Sequence, residues 1–105
     1  MSDDAPLGTF EEQVMLAVVH AGADAFGMSV RREIESRTGR DVAIGAVYAT
    51  LDRLEAKKLI SSARPKTGSP SRRIFRITAA GSRALLATRT MREGLWRGID
   101  LTGIV

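Results

Sequence analysis

Asp41-Val42-Ala43-Ile44-Gly45-Ala46-Val47-Tyr48-Ala49-Thr50-Leu51-Asp52-Arg53-Leu54-Glu55 is the stretch that decides the fold. Apolar Ile44, Val47, Leu51 and Leu54 recur at the spacing of one helix face, while Gly45, Ala46, Ala49 and Arg53 hold the opposite one. The pattern predicts a helix over residues 44–57, with Tyr48 and Thr50 on its flanks. Residues 59–63 and 73–78 then read as two short strands, and Pro65-Lys66-Thr67-Gly68-Ser69-Pro70-Ser71 between them is turn chemistry. A helix with a small-residue face, followed by a basic hairpin, suits a nucleic-acid duplex. The helix can enter a major groove while the hairpin tip reaches neighbouring phosphates. The expected architecture is mainly α with a small β-hairpin: a winged helix-turn-helix plus a further C-terminal helix.

Working outward, Phe10, Val14, Ala17, Val18 and Ala21 form the stripe of an amphipathic first helix, with Thr9 as its expected N-cap and Glu11 and Glu12 at the positive end of its dipole. Met15, Leu16 and Val19 lie off that stripe and are apolar too. A helix apolar nearly all round needs cover on more than one side, and a partner subunit is the simplest cover. A second helix is predicted over residues 29–37, capped by Ser29 and facing inward with Val30 and Ile34. Gly39 should close it in the left-handed conformation. Thr78 reads as the cap of a last helix beginning near Ala79 and carrying Leu85, Leu86, Met91, Leu95, Trp96 and Ile99, with Gly94 and Gly98 favouring fraying after about Arg97.

Charge is unevenly spread. The net charge is only +4, yet residues 64–76 hold Arg64, Lys66, Arg72, Arg73 and Arg76 with no acid. Directly after a candidate recognition helix, that block reads as a phosphate-binding surface rather than a solvated loop. At 105 residues and 44% apolar content, one folded domain with a modest core is expected. Cysteine is absent, which suits a reducing interior. The opening Met1-Ser2-Asp3-Asp4 has no secretory pattern, and the longest apolar run, residues 14–19, is too short to cross a bilayer. A cytoplasmic protein, not attached to a membrane, is the expectation.

Several chemistries have no support in the residues. His20 is the single histidine and lacks partners at metal-ligand spacing, so no metal or cofactor is expected. There is no nucleophilic cysteine and no Gly-x-x-x-x-Gly-Lys phosphate loop, so catalysis is not expected. RNA is disfavoured because the aromatic platforms that stack single-stranded bases are missing. Two rivals remain: a winged helix used to dock proteins, which often loses its basic wing, and a DNA-binding protein with no ligand sensor.

Ala25-Phe26-Gly27, Ile34-Glu35, the run Gly45-Ala46-Val47-Tyr48-Ala49-Thr50-Leu51-Asp52-Arg53-Leu54-Glu55, Leu59-Ile60 and Arg72-Arg73-Ile74-Phe75-Arg76-Ile77-Thr78-Ala79-Ala80-Gly81 together resemble the PadR family of bacterial transcriptional regulators. The resemblance spans residues 7–98 and is closest to the short subfamily with a single C-terminal helix. It implies a homodimer whose last helix crosses onto the partner's first helix, a palindromic double-stranded DNA operator, and repression relieved by a signal. Two departures stand out. Ala43 occupies the usual capping position, where Asp41 is the candidate substitute, and Ile74-Phe75 replaces the wing's usual pair of aromatics.

On this reading residues 1–78 form the DNA-binding unit and residues 79–105 the dimerisation helix and tail. Gly45, Ala46 and Ala49 would permit close approach to the groove by their smallness. Tyr48 would donate to a phosphate, its alternative being packing on the second helix. Thr50 and Arg53 would reach base edges or backbone, unless Arg53 pairs with Glu55 or an acid of the second helix. Arg64, Lys66, Arg72 and Arg73 would anchor the wing. Val14, Met15, Leu16, Val18, Val19, Leu85, Met91, Leu95 and Trp96 would build the dimer contact. For Trp96 ordinary packing is the favoured role; the resemblance adds a second, lining a dimer-interface cavity for a small aromatic effector.

Overall fold

In a computed structural model of the chain, which describes residues 6–65 and 72–104, helix α1 (Thr9–Ala21) lies at the centre. Glu11 fixes its start. The Glu11 Oε1 accepts the Gly8 N–H at 2.9 Å, so Gly8 takes the cap position that sequence assigned to Thr9. Helices α2 (Gly27–Thr38) and α3 (Ile44–Ala56) pack against α1, as do strand β2 (Ile74–Ile77) and helix α4 (Ala79–Trp96). This crowding explains the wide apolar arc of α1. Met15, which lies off the predicted stripe, is fully buried beside Val14, Ala17 and Val18, whereas Leu16 and Val19 stay exposed.

Phe26, not Ser29, caps α2. Ser29 sits at the third helical position, where its hydroxyl accepts the Phe26 N–H at 2.9 Å and donates to the Asp24 carbonyl. A short serine thus does the reciprocal work usually given to a glutamate. Gly39 ends the helix at φ 71°, as its position predicts. The connection to α3 is then held by Glu35, whose carboxylate accepts the Val42 N–H at 2.9 Å and pairs with Arg31.

Helix α3 begins without a side-chain cap. Ala43 offers none and Asp41, the candidate substitute, does not supply one. Packing holds the helix instead. Val47, Leu51 and Leu54 are fully buried and Ile44 packs at the edge of the core with Val30, Ile34, Ala25, Ile60 and Phe75. Burying such side chains contributes roughly 1.5–3 kcal/mol each, which outweighs the ~1 kcal/mol of a missing cap.

Strands β1 (Ile60–Ala63) and β2 pair antiparallel, with Ile60 opposite Ile77 and Ser62 opposite Phe75. Ile60 and Phe75 face the core, and the Phe75 N–H donates to the Ala25 carbonyl at 2.8 Å, tying the hairpin to the segment before α2. Thr78 caps α4 as expected: its Oγ1 accepts the Gly81 N–H at 3.0 Å. Together these elements form the expected winged helix-turn-helix with one long C-terminal helix.

Among the described glycines, Gly81 is the most tightly enclosed. A Cβ there would lie 2.0 Å from the Leu59 carbonyl oxygen, a backbone atom with nowhere to move. Gly81→Ala is therefore expected to cost roughly 1–3 kcal/mol or more in urea denaturation. Unchanged stability would mean that the start of α4 is not seated against the Leu59 backbone as described.

Candidate nucleic-acid interface

The outer face of α3 matches its sequence pattern. Gly45, Ala46 and Ala49 are exposed and small, leaving the helix backbone open to close approach. Thr50 does not join them. It is only 3% exposed, because it follows Val47 by three positions and precedes Leu54 by four, on the row those residues bury. The expectation that Thr50 reaches a duplex is corrected: it is buried on the inner row, and its hydroxyl accepts from the Arg53 guanidinium at 3.4 Å.

Tyr48 takes the packing role that sequence left as the alternative, without losing the surface. Its ring covers Gly27 at the start of α2 so closely that a Cβ on Gly27 would fall 2.3 Å from Cζ. The tyrosine is nonetheless 43% exposed. Gly27 was invisible as a site residue in sequence, since only the docking of α3 on α2 reveals why it has no side chain.

Arg53 projects from α3 toward α1 and pairs with Glu11 at 3.4 Å, not with Glu55 or an acid of α2. Lys57 joins the same carboxylate at 3.0 Å. Burial alone would raise the Glu11 pKa. The Gly8 N–H, then Lys57 and Arg53, outweigh it and hold the carboxyl below its ordinary 4.5. The Val42 N–H is the main reason the Glu35 carboxyl is also held low, with Arg31 assisting against burial. Both carboxylates lock the ends of α3, and the sequence shows only their local partners, because Lys57 and Arg53 lie far along the chain from Glu11 and Val42 lies across a turn from Glu35.

The hairpin's arginines divide in two. Arg73 turns inward: its guanidinium binds Asp52 at 3.1 Å, Glu55 and the Ser62 hydroxyl, and it lies 4.9 Å from the centre of the Phe75 ring. The sequence-based role of Arg73 as a wing phosphate anchor is corrected accordingly; the residue fastens β2 to α3. Arg72 is exposed beside Phe26, and Arg64 is exposed at the end of β1. Lys66 lies outside the described residues.

The chain matches the family of PadR-like transcriptional regulators over residues 15–87. It belongs to that family. It is 38% identical over 88 residues to Transcriptional regulator Rv3488 of Mycobacterium tuberculosis (strain ATCC 25618 / H37Rv), covering 82% of this chain and 81% of that one. Among solved structures it is similar to the complex structure of hsRosR-SG (TM-score 0.76, 20% identity, 94% of this chain and 84% of that one). It is also similar to the H. salinarum RosR structure grown from NaBr (TM-score 0.73, 20% identity, 90% and 81%). As a PadR-like chain it is a transcriptional regulator, not an enzyme.

The expected dimer residues separate by burial. Val14, Met15 and Val18 lie within the protomer's own core and present nothing to a partner; Leu85 is half-buried against the same core. Leu16, Val19, Met91, Leu95 and Trp96 are exposed, as is Leu86, which sequence did not single out for this role. Open crevices of about 390 and 370 Å³ lie beside the α2–α3 turn and between α1 and β2, and Trp96 lines neither. Among the described residues no helix is long and apolar enough to cross a membrane.

Two outcomes follow. Arg73→Ala should lower stability by about 1–3 kcal/mol, and Arg73→Lys should recover only part, because a compact ammonium lacks the planar fork whose two ends reach Asp52 and Glu55 separately; full recovery in lysine would contradict the clamp. Glu11→Gln should lower the melting temperature at neutral pH. Its carboxylate stabilises the fold fully above the ordinary 4.5 and loses that contribution as pH falls through the lower folded-state value, so the two melting curves should converge in acid. A separation constant at every pH would contradict it.

Proposed function

We propose that the chain is a homodimeric repressor that binds a pseudo-palindromic double-stranded DNA operator in the cytoplasm. Each α3 enters a major groove, and the half-site centres lie about one helical turn, roughly 10 bp, or a multiple apart. The observation that carries this reading is the coupling of two exposed features. The small-residue face of α3 and the basic hairpin are fastened to each other by Arg73, so they meet a duplex as one surface. Gly45, Ala46 and Ala49 face the groove floor, Tyr48 donates to a flanking phosphate, and Arg53, Arg64, Lys66 and Arg72 supply charge around them.

Residues 79–105 act as the dimerisation helix and tail, residues 1–78 as the DNA-binding unit. The exposed apolar residues support this division. Leu95 is 72% and Trp96 60% exposed at the far end of α4, while Leu16 and Val19 stand open on α1. Such side chains bury well when α4 crosses onto the partner's α1. Trp96 serves that contact by packing. A small aromatic effector that relieves repression would have Trp96 as its stacking surface, and quenching of Trp96 fluorescence by planar phenolic or cationic compounds would reveal one.

The test is an anisotropy titration against the DNA upstream of the protein's own gene, with scrambled duplex as competitor. Specific binding of two protomers per site is expected, falling at least tenfold between about 50 and 200 mM salt as counterions are released. Tyr48→Phe should weaken binding severalfold with the melting temperature unchanged. Equal, weak binding to both duplexes would favour a protein-docking winged helix instead.

A further inference from the structure

Adjacent arginines at the base of the hairpin have opposite surroundings. The donors of Arg73 are engaged by Asp52, Glu55 and Ser62. Arg72 lies face-on to Phe26, its Cζ 3.8 Å from the ring centre. A guanidinium stacked on a ring keeps its N–H groups in its own plane, so the contact orients Arg72 without occupying its donors. Arg32, one turn into α2, brings a second guanidinium to the same ring at 5.9 Å.

Both side chains are exposed, and among the described residues neither is in an ion pair. The acids of α2 are engaged elsewhere: Glu35 pairs with Arg31 and Glu33 with Arg37. Two like charges gathered on one aromatic residue repel each other unless an anion sits between them. Tyr48, reaching from α3, covers Gly27, the residue next to Phe26. The basic pair therefore stands where α2, α3 and the foot of the hairpin meet.

We propose that Arg32 and Arg72, organised by Phe26, form a clamp for one backbone phosphate of bound DNA at the edge of the groove that α3 enters. This rests on the reading above, that the ligand is duplex DNA. Phosphate is the matching chemistry, because a planar guanidinium with free in-plane donors grips two of its oxygens at once. Contact of this kind carries no base information; it sets the depth and angle of α3. Phe26 is the positioning residue, holding Arg72 flat while Arg73, next in the chain, is committed to the fold.

The experiment compares wild type, the Arg32→Ala/Arg72→Ala protein, Phe26→Leu and Arg83→Ala, an exposed arginine of α4, on operator and scrambled duplexes at several salt concentrations. The double variant should keep its melting temperature and lose affinity about 10- to 100-fold on both duplexes alike. Its slope of log Kd against log salt should become shallower by about 0.9 per phosphate released, roughly 2 for a dimer. Phe26→Leu should lose affinity severalfold with little change in slope, and Arg83→Ala should bind as wild type does. A double variant with the wild-type salt slope would overturn the clamp while leaving DNA binding intact. Failure of the wild type to bind any duplex would overturn the underlying reading instead.

Discussion

The Arg73 clamp is the contact on which the rest of the surface depends. A two-stranded hairpin is marginal in water on its own, and here it must also keep a fixed angle to α3. Phe75 and Ile60 supply burial, and the Phe75 N–H adds one bond to Ala25, but those contacts face the core. Arg73 adds the lateral tie, reaching Asp52 and Glu55 on consecutive turns of α3 and Ser62 on β1. Its side chain is 29% exposed, so water weakens the Coulomb attraction, and geometry gives the contact its value: one planar group holds three partners.

The other structural constraint is economy of core. α1 contacts every neighbouring layer, and its buried side chains serve α2, α3 and the hairpin first. Little remains for α4. Only Gly81 and Thr88 are buried along its length, the latter accepting the Leu7 N–H at 3.0 Å, and one ion pair joins Arg92 to Glu12. Beyond Thr88 the described residues leave Met91, Leu95 and Trp96 exposed, and the proposed pairing with a second copy would cover them.

Sequence was most informative where structure is local. The inner stripe of α3, the turn at Gly39, the two strands and the Thr78 cap are all set by residues a few positions apart, and each lies where periodicity and cap chemistry put it. Errors arose where tertiary partners decide. Ser29 is a local exception: Phe26 and Asp24, three and five residues before it, bond its hydroxyl at the third helical position instead of the cap. Met15 is buried by elements on the second side of α1. Arg72 and Arg73 look identical in a basic run, and only Asp52, Glu55 and Phe26, more than fifteen residues away in the chain, separate a fastening residue from an exposed one. Thr50 is a different case: its burial follows from strict helical geometry, and its polarity distracted from its position.

The central claim is that α3 lies in the major groove of a two-fold DNA site. Methylation protection on the bound operator reads guanine N7, which faces that groove. The account predicts two clusters of protected N7 atoms about one helical turn, roughly 10 bp, or a multiple apart, related by the symmetry of the site. Tight binding that leaves every N7 in the site reactive would contradict it.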